Sequence, residues 1–582
     1  MRVSRLPCFL ALAAAAGQVL GCGDAIRRFP LRAPMSQDVD AQPFAPAPEE
    51  YVSPFAWDGA NQMVFRPMAR FFAVDPAGEA VNVNAFDEVP DSSWFANRIG
   101  KTADTTAAAT EGARAWAPDD VALGSCIRGK VLDPEGAADG TWLIDQGKPN
   151  GANPGFRVKA PQGKFMLKAD LADQPERATA AAAIAARFYH AFGFHSPCDS
   201  VVYYRRGLLT LKPGLSVTDN SGVTKPFDAA ALDAVLAKAS RRGDRMRMGV
   251  SKWLPGKPLG PFTYEGKNSN DPNDVIPHED RRELRGGRLL AAWLNHFDSR
   301  EQNSMNVWMP TREDDPKSPG YVKHFYLDLG DCFGSEWAWE GISKRLGHAY
   351  YFDFGYTLED FATLGIVTRP WDRARRSDEG SIFGYFSERD FDPEMWRGGY
   401  PNPAFGRMQE RDGAWAARII ARFSNEDIEA AVKVGDFSEP KHAAYLTRTL
   451  VARRDAILSR YLRRLSPLAD VAVRGEELCA TDLARKTLTG TQGPLDPQAF
   501  QYVATARMGR GPGGGARVLP DGGVCLPLAH QAPDADLADD HVDRYVVVDL
   551  KNGDAQGPLR AHLYDLGPAR GFRLVGIERP PS

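Results

Sequence analysis

After position 21 the sequence contains no apolar run approaching the ~18–20 residues that a helix needs to cross a bilayer. A long basic run is missing as well. The formal net charge is −4, and cationic residues cluster only briefly, as in Arg241-Arg242 and Arg453-Arg454. That pattern excludes the electrostatic footprint of a nucleic-acid binder, so no nucleic-acid partner is expected. Cysteine is sparse, at seven in 582 residues, and neither a C-x-x-C nor an H-E-x-x-H spacing occurs. This gives no support to a structural zinc site or a zincin. The G-x-S-x-G elbow of a serine α/β-hydrolase is absent too, so hydrolysis by the chain's carboxylates is a weak third option. No heptad or internal repeat fixes an assembly state.

What is present is the composition of an ordinary soluble protein, 43% hydrophobic and 25% charged. At ~100–200 residues per domain, the length implies three or four units. The N-terminus has the layout of an export signal. Arg2 and Arg5 precede an apolar stretch from Phe9 to Ala16, and Val19-Leu20-Gly21-Cys22 closes it. Small residues before a cysteine resemble the lipobox of bacterial lipoproteins. The resemblance implies a signal peptide over 1–21, a lipid on Cys22, and a soluble body held by that lipid to the cell envelope, outside the cytoplasmic membrane. With Cys8 lost and Cys22 lipidated, five cysteines remain, an odd number that cannot all pair. Cys479 and Cys525, in the same C-terminal region, are the pair expected to form a disulfide.

Residues 22–53, rich in Pro and Ala, read as a tether. Residues 54–139 form an aromatic-rich N-terminal extension, expected to pack on the domain that follows. Strand patterns then appear at Thr141–Asp145, Phe156–Lys159 and Lys164–Lys168, with a Gly/Asn/Pro turn from Gly147 to Gly155. An Ala-rich helix over Glu176–Phe192 follows Pro175 and stops at Gly193. Strands are expected again at Ser200–Tyr204 and Met246–Trp253. The pattern then turns helical, at His278–Phe297, Thr357–Leu364, Ala414–Phe423, Asn425–Val434 and Lys441–Leu465. Ser424 and Asp427 make a capping box for the fourth of these. Beyond Ser466, Tyr545–Asp549, Leu559–Tyr564 and Phe572–Ile577 read as strands of a separate β domain, a sandwich by pattern. The Gly511–Gly515 run reads as a flexible hairpin tip.

The chemistry concentrates in Leu294-Asn-His-Phe-Asp298-Ser-Arg-Glu-Gln-Asn303 and in Phe325-Tyr-Leu-Asp328-Leu-Gly330. An Asp at the end of a helix precedes an Asn by five residues. A second Asp closes an apolar strand, where Gly330 is expected to supply the positive φ of a turn. Phosphoryl transfer needs one carboxylate to orient the attacking hydroxyl, and oxygen ligands to hold magnesium on nucleotide phosphates. The arrangement resembles the protein-kinase-like fold, in the manner of HipA-type kinases, lipid kinases and aminoglycoside phosphotransferases, over about residues 140–465. The resemblance implies an α+β class. A mainly β small lobe would span 140–255 and a helical large lobe 256–465, with the C-terminal β domain over 466–582.

Carried across residue by residue, Asp298 is the catalytic-loop Asp and Lys168 the strand lysine that contacts nucleotide phosphates. Asn303 and Asp328 become the metal ligands, with ATP or another nucleotide and Mg²⁺ as cofactors and an unknown acceptor. One position departs from the HipA-type pattern. The helix carboxylate that orients the lysine falls, eleven residues before Gly193, on Ala182. Glu176 lies six residues earlier, about 240° around the helix. Glu176, Asp170 or another group must then substitute, or the lysine is held less firmly. Two functions follow from this balance: a Mg²⁺-dependent phosphotransferase, or a catalytically degenerate kinase-like scaffold that binds a ligand or partner in the envelope.

Overall fold

The computed structural model describes residues 26–32, 39–51, 55–72, 78–100, 102–103, 114–148, 153–218, 222–315, 317–336, 339–488, 501–519, 522–531, 537–553 and 557–581. The signal segment and Cys22 lie outside the described residues. The architecture is α+β, with several sheets and a largely helical section between them. No helix among the described residues is long and apolar enough to cross a membrane.

The first large sheet contains β1 (Trp142–Gly147), β2 (Gly155–Ala160), β3 (Gly163–Lys168), β4 (Asp199–Tyr204), β5 (Leu209–Leu211), β6 (Arg241–Arg242) and β7 (Arg245–Lys252), with α1 (Arg177–Phe192) inserted between β3 and β4. Its order is β6-β7-β3-β2-β1-β5, and β4 also pairs with β7. Alternation along the strands separates two faces. Phe165, Leu167, Val202, Tyr204, Met248 and Val250 point into one buried cluster. Met166, Lys168, Ser251 and Asp199 take the opposite face, toward α1. The helix comes close because its core positions are alanines: Ala180, Ala181, Ala183, Ala185 and Ala186 are all buried.

The next section opens with β8 (Lys257–Pro258) and α2 (Arg282–Leu294), then β9 (Ser304–Pro310) and β10 (Gly320–Tyr326). The strands form a three-stranded antiparallel sheet, β8-β9-β10. Helices α3 (Phe354–Thr363), α4 (Glu410–Ile420), α5 (Asn425–Lys433) and α6 (Pro440–Tyr461) follow. The capping box of α5 forms as expected, with Asp427 N–H donating to Ser424 Oγ at 3.1 Å and Ser424 N–H to Asp427 Oδ2 at 2.9 Å. The expected apolar stripe of α6, Leu446, Leu450, Ile457 and Tyr461, is buried. These side chains join α1, α2, α4 and α5 in one large core. Helix α2 is shorter than the apolar pattern suggests, because Asn295 turns left-handed (φ 50°) and ends it before His296.

The C-terminal part is two four-stranded antiparallel sheets. One contains β11 (Leu468–Arg474), β12 (Glu477–Asp482), β14 (Arg517–Val518) and β15 (Gly523–Pro527) in the order β11-β12-β15-β14; the other runs β13 (Val503–Met508), β16 (Tyr545–Lys551), β17 (Leu559–Asp565) and β18 (Phe572–Glu578). Leu478 and Leu526 from the first share a buried cluster with Val546, Val548 and Leu563 from the second, a sandwich core.

The N-terminal segments are more firmly packed than their composition suggests. Phe29 is buried against Tyr545 and Val575 of the C-terminal sandwich. Phe44 exchanges backbone hydrogen bonds with Gly320, and Ser93 N–H and Oγ donate to Asp40. Residues 26–32 and 39–51, expected within a free tether, are thus docked on the body. Trp94 and Phe95 of the extension enter the central core beside α1 and α2.

Candidate functional site

Lys168 ends β3 with glycine on both sides, paired with Gly155 of β2 and Gly249 of β7. A Cβ at Gly155 would lie 2.1 Å from the Leu167 carbonyl, so a side chain there is sterically barred. The lysine therefore stands in an open lane on the α1 face. Its Nζ reaches Asp328 Oδ1 at 2.6 Å. Asp328 follows β10 and begins a tight turn over Leu329–Asp331, itself in the left-handed region (φ 53°, ψ 49°). The positive φ expected at Gly330 falls instead on Asp328, a conformation that costs a non-glycine residue energy and is held by its surroundings. Gly330 serves close approach instead, because a Cβ there would sit 3.3 Å from the Ala178 carbonyl of α1.

Arg177 holds the turn in place. This buried residue, the first of α1, donates from Nη1 to the carbonyls of Gly330 at 3.1 Å and Gly334 at 2.9 Å. The Lys168 charge keeps the Asp328 carboxyl down at about 2. Burial works to lower the Lys168 ammonium, but the Asp328 carboxylate outweighs it and the lysine rises. Nearby Lys148 is pushed down to about 8 by burial and by repulsion from Lys168. It sits at the base of the β1–β2 loop, donating to the Asn153 carbonyl at 2.7 Å. Residues 149–152 of the expected Gly147–Gly155 phosphate loop lie outside the described residues.

Asp298 and Asn303 are brought together in the loop after α2. Asn303 Nδ2 donates to Asp298 Oδ2 at 2.7 Å and to its carbonyl at 2.8 Å, and Arg300 Nε lies 3.2 Å from Asp298 Oδ1. Leu327 N–H donates to the Asn303 carbonyl at 2.9 Å, which ties this loop to the residue before Asp328. Burial pushes the Asp298 carboxyl up to about 7; Arg300 and Asn303 pull against it, and Asp331 adds repulsion. Asp331, raised by burial in the same turn as Asp328, belongs to this cluster. Sequence reasoning missed both Asp331 and Arg177, although Asp331 stands only three residues beyond Asp328.

No helix carboxylate orients Lys168. Glu176 accepts from Ser438 N–H at 2.9 Å and its hydroxyl at 3.1 Å. Asp170 accepts from Thr179 N–H at 2.9 Å and Oγ1 at 2.8 Å. Two cavities adjoin the lysine and share Met166, Lys168, Ser251 and Asp328. One, of about 50 Å³, runs under α1 past Ala182 and Asp199. The other, of about 250 Å³, is lined by Pro197, Lys252, Trp253, Leu254, Met305 and Leu327. Several of these side chains are apolar.

Asp298, Asn303, Asp328 and Asp331 offer only oxygen donors, the set that suits Mg²⁺ rather than a thiophilic metal. A second group, Glu477 with Cys479 and Cys525, has metal-like proximity. Its two sulfurs are joined in the disulfide expected between Cys479 and Cys525, so no thiolate is free to ligate. A second disulfide, Cys126–Cys198, was not read from the sequence. Cys332 is buried and unpaired. The Gly511–Gly515 run is tied to β15 through Gly513 N–H to the Pro527 carbonyl, away from this site.

No protein-family model matches the chain, and no curated protein does.

Proposed function

We propose that the chain is a Mg²⁺-dependent phosphotransferase with a two-lobed, kinase-like arrangement. The sheet carrying Lys168 is the small lobe and the helical section carrying Asp298 and Asp328 is the large one. The observation that carries this reading is the convergence of Lys168, Asn303 and Asp328, from separate places in the chain, on one cavity, with Asp298 bonded to Asn303 behind it. The nucleotide base lies in the 250 Å³ cavity, and Lys168 steadies the phosphates. Asp328 and Asn303 would hold a Mg²⁺ ion, which when bound would supply positive charge to the phosphates. Asp298 orients the acceptor hydroxyl, and in its ionised form receives the proton that hydroxyl gives up.

The address follows from the N-terminal signature. A lipid on Cys22 holds the body to the envelope, and the two disulfides suit an oxidising compartment. Purified protein with labelled ATP and Mg²⁺ tests the activity: transfer is lost in Asp298→Ala and Asp328→Asn. Unchanged turnover in both variants would defeat the reading. Palmitate labelling that disappears in Cys22→Ala tests the anchor.

A second reading, a nucleotide- or ligand-binding scaffold without transfer, is favoured by one observation. Lys168 is committed to Asp328 while Ala182 offers it no carboxylate. Calorimetry separates the two, because ligand binding that ignores Mg²⁺ supports the scaffold.

A further inference from the structure

The strand register places a second carboxylate in the lysine's lane. Lys168 stands opposite Gly249, and Gly249 stands opposite Val201 of β4. Residues opposite one another share a face, as do residues two apart along a strand. Asp199, two residues before Val201 and opposite Ser251, therefore projects on the same face as Lys168. The strand between them carries glycine at the crossing point, where a Cβ would meet Thr179 at 3.2 Å. On β7 only Gly249, beside the lysine, and the small Ser251, which bonds Asp199, share this face between them. Both side chains line the 50 Å³ cavity, together with Ala182.

Asp199 is built in rather than incidental. It is 5% exposed, and its Oδ1 has no hydrogen-bond partner among the described residues. Its backbone is fixed by Arg187, which donates from Nη1 to its carbonyl at 2.5 Å, and by the disulfide of neighbouring Cys198. Burial raises its carboxyl to about 6, against Ser251, Lys168 and Arg187, while Asp328 adds repulsion. Lys168 in turn feels Asp199 as an attraction after Asp328. A buried carboxylate oxygen with no donor costs free energy unless a cation comes to it.

We infer that Asp199 is the positioning residue for Lys168: when Asp328 turns to a metal ion, the ammonium is held by Asp199 from the sheet rather than by a carboxylate from α1. This rests on the phosphotransferase reading for its purpose, but not for its geometry. Ala182 marks the vacated helix position, since between Arg177 and Tyr189 it is the one residue of α1 that is not buried, and it opens on the same cavity.

Two measurements decide it. In the transfer assay, Asp199→Asn is expected to lower kcat at least tenfold with little change in the acceptor KM, and adding Ala182→Glu to recover most of that loss. A merely structural role would not be rescued by a carboxylate from a different element. The second measurement needs no activity. In an Asp328→Asn background, acylation of Lys168 is followed by peptide mass spectrometry. Adding Asp199→Asn is expected to speed it about tenfold at pH 8, as the ammonium loses the carboxylate that shares its cavity and keeps only the attraction of Asp331. Adding Ala182→Glu is expected to slow it again. Acylation unchanged by Asp199→Asn overturns the inference. Absence of transfer in the wild type with acylation behaving as described removes the phosphotransferase reading alone.

Discussion

Lys168 and Asp328 lie 160 residues apart in the sequence and meet at 2.6 Å, closing the sheet against the turn after β10. Asp328 is 52% exposed, so water screens the pair and its contribution to stability is small, within about 1 kcal/mol. What the pair fixes is position: it ties the end of β3 to the turn after β10, beside the cavity that Asn303 also lines.

Lys168→Met is therefore expected to reduce transfer by about 100-fold while leaving thermal unfolding nearly unchanged. The sign of the pH effect is also set. The Asp328 carboxyl is depressed to about 2 in the folded protein. Its contribution is present above the unfolded value of about 3.9 and lost as the pH falls toward 2. Parallel kinetics and melts check this. A melting temperature that collapses with the activity would mean that the lysine is structural.

Asp298 behaves in the opposite sense. Burial raises its carboxyl to about 7, so the folded protein holds this proton more tightly than the unfolded chain does. Stability from this group is full below about pH 4 and declines as the pH rises toward 7. Activity runs the other way, because only the ionised carboxylate accepts the acceptor's proton. Asp298→Asn is expected to abolish transfer yet gain about 1–2 kcal/mol over the wild type at pH 8, with no gain below pH 4. Denaturant melts at the two pH values, alongside a pH–rate profile with its rising limb near 7, test both halves.

The grouping of Asp298, Asn303 and Asp328 was legible because its signal is local. Asp298 and Asn303 are five residues apart in one loop, and Asp328 sits where an apolar strand stops. Lys168 was legible from a hairpin that ends in lysine. Arg177 and Asp199 were not, since their placement is tertiary: one reaches a turn 153 residues away, the other lines the lysine's cavity from a strand on the far side of β7. The packing of 26–32 and 39–51, within the segment read as a tether, was not legible for a related reason. Pro- and Ala-rich composition gives no periodicity, yet single residues such as Phe29 and Phe44 find partners on a preformed body.

Arg177→Ala removes both donors to the Gly330 and Gly334 carbonyls and leaves Asp331 without its nearest cation, 3.8 Å away. Loss of charge-assisted bonds from a buried guanidinium is expected to cost about 2–4 kcal/mol. The turn that holds Asp328 left-handed would loosen at the same time. A higher Mg²⁺ requirement with little change in acceptor KM separates this from general destabilisation, which would reduce all parameters through the folded fraction.

The Cys126–Cys198 bond joins positions 72 residues apart and ends one residue before Asp199. Closing a loop of that length restricts the unfolded chain and is expected to contribute about 2–4 kcal/mol. Its removal also frees the start of β4, held otherwise by Arg187. Cys126→Ser with Cys198→Ser is therefore expected to lower stability by that amount and to impair transfer more at a temperature where the protein is still fully folded. The paired change Cys479→Ser with Cys525→Ser lies in the C-terminal sandwich, linking β12 to β15 across one register pair. It is expected to affect melting without touching kcat. Calorimetry and single-turnover rates on both double variants distinguish a staple that serves the site from one that serves only its own domain.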